Sequence, residues 1–215
     1  MDALLDYTIR LLHGISVSIY LEMPMDNEKI FISDLDGTLL RTDATLSAYS
    51  RRTLAELLEA GLAFTVASAR TWHEMALVLG DVPLTLPVIA VNGAYITDYQ
   101  TGRHLVIHHM DRDFAGAVCA HIIGADLSPF IVTFNGTEDC LYWQDIKNEE
   151  RQWYHDMLHV QKDKRLRRIE DLRHALAETV IAFAVLGPRE RLLGLWDLLA
   201  EEYPGRLENF LFENP

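Results

Sequence analysis

Two carboxylates one residue apart, Asp34 and Asp36, stand at the end of the apolar run Lys29 to Ser33 and are followed at once by Gly37 and Thr38. If that run is a strand, alternation sends Asp34 and Asp36 to one side, turns Leu35 back to the core, and lets Gly37 bend the chain sharply away. Like charges so close repel, which a divalent cation between them would relieve, and oxygen ligands are what Mg2+ prefers. Asp-Leu-Asp-Gly-Thr can also be a plain turn, since Asp and Gly are common turn residues. An EF-hand loop starting at Asp34 is excluded, because its sixth and twelfth positions are Leu39 and Thr45 instead of Gly and Glu. Two further apolar runs end in polar residues: Leu62 to Ala67 leads into Ser68-Ala69-Arg70, and Val88 to Val91 leads into Asn92-Gly93. In an open parallel sheet the ligand site lies beyond the carboxyl ends of the strands, so these ends belong to one candidate site.

Taken in order, Asp34-Leu-Asp-Gly-Thr-Leu-Leu40, Ala67-Ser-Ala-Arg70 and Val91-Asn-Gly-Ala94 resemble the Cof-like, type IIB branch of the haloacid dehalogenase superfamily. The resemblance is close over about residues 29–110, and the segment that follows is similar to that branch's cap domain. It implies a phosphatase for small phosphorylated metabolites such as sugar phosphates. Asp34 would be the nucleophile that forms an aspartyl-phosphate, and Asp36 would protonate the leaving oxygen and then deprotonate water. Mg2+ would be held by the Asp34 carboxylate and the Asp36 backbone carbonyl. Ser68 would hydrogen-bond a transferring oxygen, and Ala69, Arg70, Asn92 and Gly93 would line the phosphate and substrate side.

The chain departs from that pattern in one respect. The family completes its site with a Lys after the cap and a Gly-Asp-x-x-Asn-Asp stretch, yet the lysines here are Lys29, Lys147, Lys162 and Lys164 and no such stretch occurs. The reading is therefore of a chain lacking the C-terminal part of its core and impaired in catalysis, since losing one preorganised charged contact costs on the order of 10²–10³ in rate. Two rivals remain, a non-catalytic remnant serving binding or assembly and a phosphomutase of similar architecture. A Lys and a Gly-Asp-x-x-Asp motif encoded downstream would separate the first from a phosphatase.

These ends need elements to hold them. After the short buried strand expected at 29–33 the pattern gives a helix from Ser47 to Ala60 with Gly61 beyond its end, a buried strand at 62–67, a helix at 71–79 and a strand at 88–91. Strands separated by helices imply parallel pairing, here an α/β, Rossmann-like but incomplete core. A hairpin, Ala94 to Asp98 and His104 to His108, then interrupts the series at Thr101-Gly102. Beyond it the order is helix (111–123), strands (130–134 and 140–143), helix (148–159), a helix at 170–177, strand (180–186), helix (188–202) and strand (207–212), an α+β module. The expected domains are 25–110 and 111–215, preceded by 1–24 as a non-native or mis-assigned extension.

Composition narrows the partners. With 49% hydrophobic and 24% charged residues among 215, the chain is an ordinary globular sequence, and its net charge of -13 disfavours nucleic acid and anionic membrane. Apolar runs are too short to cross a bilayer, and residues 1–24 lack the cationic start of a secretory signal. Cys119 and Cys140 have no metal-type spacing, which points to a reducing cytoplasm. Oligomeric state is not encoded legibly. His155 and His159 share a helix face but without a third ligand read as packing residues. The run Lys162 to Arg168 reads as a solvated loop, and His104 and His108 as strand-surface residues.

Overall fold

In a computed structural model of the chain, the described residues are 5–10, 16–21, 29–160 and 162–209. They divide into two compact units, one up to His108 and one from His109. Strands β1 (Leu5–Arg10) and β2 (Ser16–Leu21) pair antiparallel, and the remainder of the segment 1–24 lies outside the described residues.

In the first unit β3 (Phe31–Ser33) leads through α1 (Ala48–Glu59) to β4 (Phe64–Val66), which pairs with it in parallel. Helix α1 starts where the Ser47 side chain accepts from Ser50 N, and Gly61 follows its end with φ of 91°. Helix α2 (Trp72–Leu79) opens on a capping box between Thr71 and Glu74 and ends at Gly80. Strand β5 (Val88–Ala90) then joins β4 through a parallel bridge between Ala67 and Ile89. Three strands in one sense, with helices between them, are the parallel arrangement that the alternating pattern implies. Where the sequence suggests a break, β5 instead pairs antiparallel with β6 (Tyr95–Thr97), which pairs with β7 (His104–Ile107). The turn Val91–Gly93 folds β5 straight back onto β6.

Two expectations need correction here. Strand β3 is not buried: Phe31 is 53% and Ile32 40% exposed, because β4 is its sole hydrogen-bonded neighbour among the described strands. His104 is not a plain surface residue, since its ring stacks on Tyr95 at 3.9 Å and its Nδ1 lies 2.8 Å from Thr97 Oγ1.

The second unit runs α3 (Arg112–Gly124), β8 (Pro129–Phe134), β9 (Asp139–Trp143), α4 (Glu149–Val160), β10 (Leu166–Arg168), α5 (Arg173–Leu176), β11 (Thr179–Val185) and α6 (Arg189–Glu202). Its sheet is ordered β10-β9-β8-β11, with β8 antiparallel to both neighbours and β10 parallel to β9. Alternation along β8 distributes the core between two faces. Phe130 packs with Leu141 and Leu158 of α4, while Ile131 packs with Ala115 and Cys119 of α3 and Ala175 of α5. Leu195 and Leu199 of α6 close against Phe114, Val118 and Ile122. Arg151, 1% exposed, is embedded at the first turn of α4.

The basic run is not a free loop, because Leu166–Arg168 forms β10, held by Leu141 N to Arg165 O at 2.8 Å and Ile169 N to Trp143 O at 2.9 Å. The helix expected at 170–177 shrinks to α5, since the Asp171 side chain accepts from Arg173 N at 2.9 Å and fixes a turn first. Residues 207–209 are not in a strand, and the rest of the strand expected at 207–212 lies outside the described residues. No described helix is long and apolar enough to cross a membrane.

Candidate active site

Strand β3 stops at Ser33, whose hydroxyl donates to the Asp34 carbonyl at 2.8 Å. The chain then makes a wide turn over Leu35–Leu39, closed by Leu40 N donating to Leu35 O at 2.8 Å. Gly37 takes φ of 74°, the left-handed region that a side chain would disfavour, although a Cβ there would meet no atom within 4 Å. The alternation expected from the sequence is present at the central position: Leu35 is fully buried, while Asp34 and Asp36 are exposed.

Arg70, beyond β4, reaches Asp36 with two parallel bonds, Nε to Oδ2 at 2.8 Å and Nη2 to Oδ1 at 2.7 Å. This fork geometry is the strong form of a guanidinium–carboxylate contact. The Arg70 hydrogen bonds, with a smaller contribution from its charge, hold the Asp36 carboxyl below the usual range against a modest opposing effect of burial. The same contact raises Arg70.

Ser68 is buried and ties β4 to β5, its N donating to Ile89 O at 3.0 Å and its Oγ accepting from Arg70 N at 3.2 Å. The turn after β5 is bound in return. Val91 N donates to Arg70 O and Asn92 N to Ser68 O, both at 3.0 Å, with Asn92 at φ of 53°. Ser68, Ala69 and Arg70 thus lie in one loop joined by hydrogen bonds to Asn92 on one side and Asp36 on the other. Asp34 adjoins this network through the turn it begins, and Gly93 is buried behind it.

Both Asp36 oxygens accept from Arg70, so the repulsion between the aspartates is eased by a guanidinium. Among the described residues no group of three or more His, Cys, Asp or Glu side chains could hold a metal. One exposed carboxylate and one carbonyl still fit Mg2+, which keeps several waters and is commonly bound through one or two carboxylates plus substrate phosphates. The pairing of Arg70 with Asp36 is what sequence reasoning missed. Its one visible signal was an arginine at the end of a strand beside an acidic motif, in a chain of net charge -13.

Among known proteins, the chain is 31% identical over 100 residues to a 5-amino-6-(5-phospho-D-ribitylamino)uracil phosphatase of Bacillus subtilis, covering 46% of this chain and 34% of that protein. A second B. subtilis protein of the same name is 32% identical over 63 residues, covering 29% and 23%. The matched regions therefore span about a third or less of these curated relatives. In fold, the chain is similar to a haloacid dehalogenase-like hydrolase from Bacteroides thetaiotaomicron, with a TM-score of 0.65 and 20% identity over 87% of this chain and 68% of that one. A B. subtilis hydrolase of the same description gives 0.59 and 18%, over 82% and 67%. The haloacid dehalogenase-like hydrolase family matches residues 31–209, well over half of the sequence, and with these motifs at these strand ends the chain belongs to that family.

Proposed function

We propose that this chain carries the nucleophile side of a Mg2+-dependent phosphoric monoester hydrolase for small phosphorylated metabolites. The observation that supports it is the two-point grip of Arg70 on Asp36 beside an exposed Asp34. One carboxylate is thereby held in place for proton transfer while the other stays open to attack. An Asp34 oxygen attacks phosphorus, the ester O–P bond breaks, and the leaving oxygen takes a proton from Asp36. Water then gives its proton to Asp36 and attacks the phosphoryl group on Asp34, freeing phosphate and restoring both aspartates. Asp36 held by Arg70 is a carboxylate, suited to the second half. For the first half the grip must loosen, which the incoming phosphate dianion favours by drawing on the same guanidinium. The Ser68 hydroxyl and the Asn92 amide would orient phosphoryl oxygens, with Ala69 and Gly93 giving backbone room. Mg2+, held by the Asp34 carboxylate and the Asp36 carbonyl, would neutralise charge on those oxygens when bound.

A phosphorylated sugar or sugar alcohol is the substrate class that fits, since the two B. subtilis relatives are named for a phosphoribityl compound. The buried free thiols Cys119 and Cys140 agree with a reducing cytoplasm. No Gly-Asp-x-x-Asn-Asp stretch occurs in these 215 residues, and a non-catalytic role is the second reading.

The test is covalent. After exposure to p-nitrophenyl phosphate and Mg2+ and an acid quench, Asp36→Asn should carry a phosphoryl group on the peptide containing Asp34, because water can no longer be activated. Asp34→Asn should carry none. A phosphoryl group persisting in Asp34→Asn would mean that another residue attacks, and no adduct in any variant would favour the non-catalytic reading.

A further inference from the structure

On helix α4, His155 and His159 stand one turn apart with ring centres 4.5 Å apart and planes inclined at 64°. Residues four apart on a helix share a face, so both imidazoles project from one patch. His155 is fixed from two directions. Its ring meets Trp143 edge-on at 4.8 Å, and its Nδ1 lies 3.3 Å from Asp156 Oδ1, an oxygen that also accepts from Gln152 Nε2 at 2.7 Å. An ionised carboxylate can only accept, so the shared proton sits on Nδ1 and the Nε2 lone pair is left to bind. A carboxylate behind an imidazole in this way also makes it a better donor to a metal. The His155 side chain is mostly buried while His159 is exposed, which gives the pair one rigid member and one that solvent reaches.

We propose that His155 and His159 form a two-imidazole site for a borderline divalent transition-metal ion of the Zn2+, Ni2+ or Cu2+ type. At a metal–nitrogen distance of about 2.1 Å each ring centre would stand about 3.2 Å from the ion, so ring centres 4.5 Å apart subtend about 90° at it, the angle of a square-planar or octahedral ion, and opening the pair by about 0.7 Å reaches the tetrahedral angle of Zn2+. Water fills the remaining positions on the open side. The site differs in kind from the aspartate turn, because imidazole nitrogen suits these ions while carboxylate and carbonyl oxygen suit Mg2+. Asp156, at bonding distance from His155, favours a cation there, while Arg168 stacks at 5.6 Å on the Trp143 ring that His155 also meets.

The experiment is calorimetric titration of the full chain with Zn2+ in excess Mg2+, so that hard oxygen sites are already filled. One Zn2+ per chain should bind, and His159→Gln and His155→Asn should each weaken binding at least tenfold with unchanged circular dichroism. Asp156→Asn should weaken it by a smaller factor while keeping the one-to-one stoichiometry, a readout that a purely packing role for the histidines would not produce. Zn2+ should also raise the melting temperature of the parent chain and leave that of His159→Gln unmoved. Absence of binding to the parent chain, or equal binding by His159→Gln, overturns the proposal.

Discussion

Asp36 owes its lowered carboxyl to its partner Arg70. Removing that partner with Arg70→Leu should return Asp36 toward the ordinary carboxylate range, read as an upward move of its carboxyl carbon titration by nuclear magnetic resonance. The sign for stability follows. A carboxyl depressed in the folded protein stabilises above its unfolded value of 3.8, and that contribution is lost as pH falls through the lower folded value. Arg70→Leu should therefore narrow the difference in melting temperature between neutral and strongly acidic solution. Arg70→Lys should not restore it, since an ammonium cannot engage both oxygens in parallel. At this scale the turn inward of Leu35 between two exposed aspartates was legible from strand alternation. The contact between Arg70 and Asp36 was not, because it joins residues 34 apart in sequence and depends on how two strand ends meet.

Elements carry the next level of constraint. Gly102 adopts φ of 73°, and a Cβ there would lie 2.8 Å from the Trp72 ring, whose Nε1 donates to Tyr99 O at 2.9 Å. Gly102→Ala should thus both strain the turn and displace the indole, costing about 1–3 kcal/mol in chemical unfolding. Thr71→Ala should cost about 1 kcal/mol by undoing the capping box of α2. Helices α1, α2 and α3 could be read from sequence because Ser47, Thr71 and Asp111 announce their starts. Strand β10 could not, since its arginines and lysine neighbours look like solvated charge, and pairing with β9 is a tertiary fact. The antiparallel return from β5 to β6 was hidden for a similar reason. It depends on Val91 and Asn92 both adopting positive φ, which nothing in a valine announces.

Each of the two units has its own buried side chains, so damage to one should leave the local chemistry of the other intact. Arg151 offers the sharpest trial. Its guanidinium donates to the carbonyls of Asp145 and Ser128 and lies 4.6 Å from the Phe130 ring centre. Burial lowers its pKa, yet an arginine stays charged, so these carbonyls are its compensation for lost water. Arg151→Ala would orphan them and leave a void, costing about 3 kcal/mol or more, measurable as a fall in the denaturant midpoint. Hydrogen exchange should then rise across β8, β9 and α4, while β4 and β5 keep their protection.

Val91 is a branched residue held at φ of 51°, a backbone region that disfavours it, with its N–H bound to Arg70 O. The same turn sets Asn92 beside Ser68. Selection for heat resistance and selection for turnover would therefore pull this position in opposite directions. A randomised library screened only for survival at high temperature should enrich Val91→Gly early, whereas one screened for phosphate release should retain whatever keeps Asn92 in register.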